Sequence, residues 1–237
     1  MTYDGTCDYC LEISAASPNT RFATTYGDAL TTRIVRLSAY AAVMPTIGQI
    51  FDGSMLVVPR AHIPTIAALE TEIRSNVLQL VTDEIAIGGE HVVAFEHGAY
   101  PHTGGSCGIY HAHMHVVPVP SRVALSDMLP DAHRVDDLGR ALLQTPRADE
   151  YLIFRDTTGA VGYITSVDKR AYPSQYFRRA LQEYFRRDRP WDWHEYTGRE
   201  PALVDVVRRR TRAPHVSDSD NRLDSGRHRD DVATRVG

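Results

Sequence analysis

Three histidines alternate with small or apolar residues in His111-Ala112-His113-Met114-His115, followed by Val116-Val117 and preceded by the loop Gly104-Gly105-Ser106-Cys107-Gly108. Side chains of an extended strand repeat every second residue, so the three imidazoles are expected on one face and Ala112 and Met114 on the other. Imidazole titrates near neutral pH and acts as base, nucleophile or metal ligand. A lone strand histidine is ordinarily a satisfied, partly buried residue. Three on one face would stack polar rings in a core with nothing to compensate them, so the row points to chemistry. Glycine lets backbone N–H groups approach a phosphate closely, which makes Gly105, Ser106, Cys107 and Gly108 candidate anion donors.

A second group lies at the opposite end of the sequence. Of three cysteines, two form the tight pair Cys7-Asp8-Tyr9-Cys10. In a reducing compartment that spacing reads as a metal knuckle or a redox pair rather than a structural disulfide. No strand-to-helix context of the thioredoxin kind surrounds it. Zinc takes four ligands, so the pair is half a site, and its other half is to be sought among the histidines.

The elements that must position these groups follow from periodicity and punctuation. Residues 20–60 read as antiparallel strands over 33–37, 41–44 and 54–59, with Pro45, Gly48 and Asp52-Gly53 between the last two. From Ile63 to Ile87 apolar residues fall at helical spacing, ended by Gly88-Gly89. A strand at 92–95, a loop from Glu96 to Gly108 and the histidine strand come next. Past Pro120 the pattern gives a helix over 136–143, strands at 151–155 and 161–167 around Thr158-Gly159, and a helix from Ser174 to Arg187. Beyond Arg208 the chain is polar and lacks the apolar surface to offset its ordering entropy.

Composition bounds the function. The 237 residues are 43% hydrophobic and 24% charged with a formal net charge of -4. That balance gives no strong electrostatic case for nucleic acid or an anionic membrane as partner, and the acids interspersed around Arg208-Arg209-Arg210 make that run a solvated one. No apolar run is long enough to span a bilayer. The opening residues Met1-Thr2-Tyr3-Asp4-Gly5 lack the basic and apolar regions of a signal peptide, so the cytoplasm is the expected location.

Four segments occur in a telling order between residues 5 and 120: CDYC, GSMLVVPRAH, FEHG and GGSCGIYHAHMHVVP. In these the chain resembles the histidine triad (HIT) superfamily of nucleotide hydrolases and nucleotidyltransferases. The later stretch SQYFRRALQEYFRR…PWDW resembles the C-terminal extension of bacterial members with the FEHG variant. The resemblance implies an α+β fold: a HIT-like twisted antiparallel sheet with a packed helix, plus a C-terminal α/β extension. The expected division is a catalytic domain over 1–125, the extension packed on it over 126–207, and a polar tail over 208–237.

The resemblance also implies roles. The middle histidine, His113, is the expected nucleophile, attacking an α-phosphorus to give a nucleotidyl-histidine that water or a second acceptor then resolves. His115, on the same face, is placed to contact a phosphate oxygen or the leaving group. Zinc is expected on Cys7, Cys10, His62 and His111, a closed set and therefore structural. Thr46 stands where many relatives carry Asp or Asn for ribose, Ser54 where many carry histidine, and Gly108 where Ser or Thr is common. Glu96 falls where relatives place polar substrate contacts. In the extension, Gln175 and Arg178 are candidates to reach the substrate, the arginine balancing phosphate charge; Trp191 and Trp193 read as anchors of the extension. The expected partner is a nucleotide of the dinucleoside polyphosphate, phosphoramidate or nucleotide-sugar type, and a homodimer is expected. Two rivals stand beside this: a non-catalytic nucleotide-binding protein, motivated by Ser54 and Thr46 and opposed by the intact triad, and a redox-sensing knuckle.

Overall fold

The computed structural model describes residues 7–15, 19–103, 109–145 and 149–212. Its chain is an α+β fold around one eight-stranded sheet of order β1-β2-β3-β5-β4-β7-β8-β6. The strands are β1 Arg36–Leu37, β2 Ala41–Pro45, β3 Met55–Pro59, β4 Val92–Gly98, β5 Met114–Pro118, β6 His133–Val135, β7 Tyr151–Arg155 and β8 Val161–Ile164. Every pairing is antiparallel. The helices are α1 Asp8–Ser14, α2 Arg21–Tyr26, α3 Thr71–Gly88, α4 Leu125–Met128, α5 Leu138–Gln144, α6 Tyr176–Tyr184 and α7 Pro201–Arg212. The extension does not form a separate layer of strands: β7 pairs with β4 at Phe95↔Phe154 and continues the same sheet.

Alternation along the strands divides the core into two faces. Val43, Val57, Met114, Ala94 and Ile153 turn toward one face, where Val77, Leu80 and Val81 of α3, Leu138 and Ala141 of α5 and Leu203 and Val207 of α7 cover them. Burying each valine, leucine, isoleucine or methionine among them contributes about 1.5–3 kcal/mol. The opposite face is covered in two separate patches. Tyr9 of α1 packs with Met44, Leu56 and Val58 at one end. Phe177 and Leu181 of α6 pack with Phe95, Leu152 and Phe154 at the other. The histidine row emerges between these patches, where β5 crosses the middle of the sheet.

Several expected elements differ, each for a physical reason. The helix expected from Ile63 is a 3-10 turn, Ile66–Ala68, followed by α3; the N–H groups of Ile66 and Ala67 are taken by Glu96 and the Tyr151 hydroxyl. Ladder pairing of the histidine strand starts at Met114, because the Ala112 N–H donates to the Ile63 carbonyl at 2.6 Å instead. Residues 21–26, read as part of a strand region, form α2, whose first turn is capped by the Thr20 hydroxyl accepting from the Ala23 N–H. In the 33–37 segment only Arg36–Leu37 pairs as a strand. Strand β4 runs on to Gly98, so Glu96 and His97 lie in the sheet rather than in a loop. Helix α7 continues through Arg212, past the expected start of the polar tail at 208, because Arg210 is held by the buried carboxylate of Glu84 at 2.7 and 2.8 Å.

The FEHG tetrapeptide explains itself in this frame. Phe95 stacks on the His115 ring at 4.6 Å, and Gly98 faces Tyr151 so closely that an added Cβ would sit 2.4 Å from the ring. Relieving that overlap requires moving a fully buried aromatic. Gly98→Ala is therefore expected to cost about 1–3 kcal/mol in chemical denaturation, whereas Gly198→Ala, with open space around it, should stay within about 0.5 kcal/mol of the parent. Equal effects of the two would contradict this packing.

Candidate functional site

The N-terminal knuckle reaches the histidine row through α1. Cys7 Sγ and Cys10 Sγ each lie 3.4 Å from His111 Nδ1, and Cys10 Sγ lies 3.3 Å from His62 Nδ1. Ligand atoms of all four residues fall within 4.8 Å of one another. His111 Nε2 donates to the Pro59 carbonyl at 2.8 Å, which puts the proton on Nε2 and turns the Nδ1 lone pair toward the thiols. Burial, aided by the charge of His62 and His113 and opposed by the Pro59 carbonyl, holds the His111 pKa down to about 4, so the ring is neutral. Zinc bonds of about 2.3 Å to sulfur and about 2.0 Å to nitrogen separate S from N by about 3.5 Å across a tetrahedron. The observed spacings fit, and the cluster is compatible with zinc.

The next histidine is oriented by backbone. His113 Nδ1 lies 2.7 Å from the carbonyl oxygen of His111. A carbonyl only accepts, so Nδ1 carries a proton, and in the neutral ring the lone pair resides on Nε2. The ring is packed edge-on by Tyr9 at 5.4 Å and by His115 at 5.1 Å. His115 is itself stacked on Phe95, and its pKa lies well below the ordinary imidazole value, because of burial first and then the charges of His113 and Arg178. His115 is thus a neutral ring.

His113 and His115 line a cavity with about 460 Å³ of open space, shared with Tyr9, Arg33, Thr46 and Trp193. Its walls come from distant parts of the chain. Arg33 is buried in a two-point ion pair with Glu12 of α1 (2.6 and 2.9 Å) and also donates to the Pro45 carbonyl. Losing one partner of so buried a pair costs about 3–5 kcal/mol. The Thr46 hydroxyl is buried at the cavity without a partner among the described residues. Trp193 lies under the Arg21 guanidinium, 4.7 Å from the ring centroid, and Arg21 also donates to the carbonyls of Trp193, His194 and Tyr196. Ser54 closes its own turn, its hydroxyl donating to the Phe51 carbonyl at 2.6 Å.

The extension fixes the loop that forms the cavity rim. Glu200 accepts the N–H groups of Gly48 and Gln49, each at 2.7 Å. Arg178 donates to the Gly48 carbonyl at 2.6 Å and to the Trp191 carbonyl at 2.8 Å, and its charge reaches His115. Gly48 has φ +74°, and a Cβ there would meet the Tyr196 ring at 2.9 Å. Gln175 lies beside the histidine pair in a second cavity and binds Asp192 at 2.9 Å.

The structure thus brings Thr46, His113, His115 and Arg178 to one cavity and Cys7, Cys10, His62 and His111 to one cluster beside it. Glu96, expected at the substrate, lies elsewhere. Its carboxylate is inside the fold, accepting the Ile66 N–H at 2.9 Å and the Tyr151 hydroxyl at 2.7 Å, because its strand position points to the face covered by α3. Gly105, Ser106, Cys107 and Gly108 lie outside the described residues. Tyr9, Arg21, Arg33 and Glu200 carried no sequence signal, since each acts through a partner remote in the chain.

No protein-family model matches the chain, and no curated protein does. Among solved structures it is similar to a HIT family protein from Bacillus anthracis at 24% identity over 49% of this chain and 74% of that one, TM-score 0.36. A zinc-bound histidine triad family protein from Mycobacterium smegmatis matches at 18% identity over 48% of this chain and 74% of that one, TM-score 0.35. A HIT family hydrolase from Clostridium thermocellum matches at 16% identity over 52% of this chain and 99% of that one, TM-score 0.37. The chemistry of the site rests on its own residues. No helix among the described residues is long and apolar enough to cross a membrane.

Glu96 gives a pH signature. Burial pushes its carboxyl from 4.5 up to about 7, against the pull of the Tyr151 hydroxyl, the Ile66 N–H and the His113 charge. A carboxyl raised in the fold favours folding while protonated. Its contribution is complete below about pH 4.5 and is lost as pH rises through about 7, on the order of 3 kcal/mol in all. Urea melts between these limits should show stability falling with pH, and Glu96→Gln should flatten the slope; an unchanged slope in the variant would contradict the assignment.

Proposed function

We propose that the chain is a nucleotide hydrolase or nucleotidyltransferase in which His113 Nε2 bonds covalently to an α-phosphorus. The observation that carries this reading is the hydrogen bond from His113 Nδ1 to the His111 carbonyl, in a ring that lines the cavity with His115 and Arg178. In the first half-reaction the Nε2 lone pair attacks phosphorus, the P–N bond forms and the bond to the leaving group breaks with its electron pair. The proton stays on Nδ1, and its hydrogen bond to the His111 carbonyl strengthens as the ring becomes cationic. In the second half-reaction an acceptor oxygen bonds to phosphorus and the electron pair returns to Nε2. Arg178 supplies fixed positive charge near the phosphate, where electrostatic stabilisation counts most. The Thr46 hydroxyl, buried at the cavity and without a partner among the described residues, suits a ribose hydroxyl. The acceptor, water or a phosphate-bearing group, decides hydrolysis against transfer.

The same reading gives zinc on Cys7, Cys10, His62 and His111 a structural role. It would tie α1, and with it Tyr9 and Glu12, to the backbone that orients His113.

Two measurements test this. The protein is incubated with diadenosine tetraphosphate, adenosine 5′-phosphoramidate and UDP-glucose, each labelled at the α-phosphate, and quenched in base. Acid-labile label is expected on the parent chain and none on His113→Ala, whose turnover should fall about 10⁴-fold or more; label retained by the variant would contradict the mechanism. Metal analysis should find one zinc per chain, with Cys10→Ser losing it and melting at a lower temperature. A metal-free parent chain that melts like the variant would contradict the zinc assignment.

A further inference from the structure

A second, smaller cavity, with about 310 Å³ of open space, shares His113, His115 and Arg178 with the first and is lined also by Phe95, His97 and Gln175 among others. Strand register explains the grouping. Phe95 pairs with His115, and continuing that register by two residues sets His97 opposite His113 on the same face. Leu152 pairs with His97, so Glu150, two residues before it, is its diagonal neighbour.

The His97 side chain is 9% exposed and its Nε2 lies 2.7 Å from a carboxylate oxygen of Glu150, itself 6% exposed. A carboxylate accepts, so Nε2 carries a proton, and in the neutral ring the lone pair is on Nδ1. That Nδ1 is buried and has no hydrogen-bond partner among the described residues. An unsatisfied buried acceptor costs about 1–3 kcal/mol, and no described residue offsets that cost. Lys169 is 3.9 Å from the second Glu150 oxygen. A carboxylate, an imidazole held in one tautomer, and a nitrogen lacking only a ligand proton make the arrangement of a general base.

We propose that His97 and Glu150 form a proton-transfer dyad serving the acceptor step of the reaction at His113. The proposal rests on the nucleotidyl-histidine reading and deepens it. The acceptor enters in line with His113, in the position the leaving group vacated. As its oxygen bonds to phosphorus the P–Nε2 bond breaks, and the electron pair returns to the neutral His113 ring. The acceptor's O–H proton passes to His97 Nδ1, and Glu150 stabilises the imidazolium so formed. The proton then leaves to solvent or to the next leaving group, which resets the dyad. Glu150 is a positioning residue here, and His97 is the group that touches the acceptor.

The two half-reactions separate this role from a structural one. With the α-labelled probes above, the appearance and decay of label on protein are followed in rapid-quench experiments with the full chain. In His97→Asn, label should appear at a rate within about threefold of the parent, while its loss to water slows about 100-fold or more. Inorganic phosphate as its dianion attacks without shedding a proton, so added phosphate should discharge the variant's adduct within about threefold of the parent's rate. Glu150→Gln, which keeps the shape and an acceptor oxygen, should slow loss to water by a smaller factor. Parallel loss of formation and decay in His97→Asn, equal slowing toward water and phosphate, or decay unchanged from the parent would overturn the dyad while leaving the His113 adduct standing. Absence of label on the parent chain would overturn both.

Discussion

Everything at this site depends on where one proton sits. The 2.7 Å contact between His113 Nδ1 and the carbonyl of His111 fixes the tautomer of a ring that would otherwise exchange between two. Backbone is the firmest partner available for that purpose, provided the backbone itself cannot move. Three contacts hold it: the Ala112 N–H on the Ile63 carbonyl, the His111 ring on the Pro59 carbonyl, and the cluster of His111 with Cys7, Cys10 and His62. The four-residue cluster therefore has a mechanical consequence two residues away, and the Arg33–Glu12 pair carries that anchoring from α1 to the sheet.

The extension is part of the site rather than an appendage. Its strands continue the sheet past β4, which brings Glu150 alongside His97, and its helix α6 covers the sheet up to the edge of the histidine row. Arg178 and Glu200 then clamp the loop at Gly48 and Gln49 from opposite sides, one through the carbonyl and one through the N–H groups. A cavity rim built in this way is preorganised, and little of the binding energy of a ligand goes into ordering it.

Periodicity made the central strands, α3 and the histidine row legible in the sequence, because one face of each is buried and alternates or repeats accordingly. Spacing made the Cys7–Cys10 pair legible as half of a cluster. Helix α1 was not legible as a helix: it is seven residues long and is held by Glu12 reaching Arg33, a contact across 21 positions. Glu96 misled for a related reason. As the first residue of an expected loop it suggested a substrate contact, but it lies in the strand and its partners, Ile66 and Tyr151, are 30 and 55 residues away. His97 stood in the sequence as part of the FEHG segment, and its pairing with Glu150 depends on a strand register that no local pattern encodes.

The tautomer of His113 is the most direct test of this account. Long-range proton–nitrogen correlation NMR on uniformly nitrogen-labelled protein distinguishes a protonated ring nitrogen from one bearing a lone pair. For His113, assigned by comparison with His113→Gln, the expected spectrum shows a protonated Nδ1 and a lone-pair Nε2 in the neutral ring. A protonated Nε2, or a ring exchanging between both forms, would contradict it.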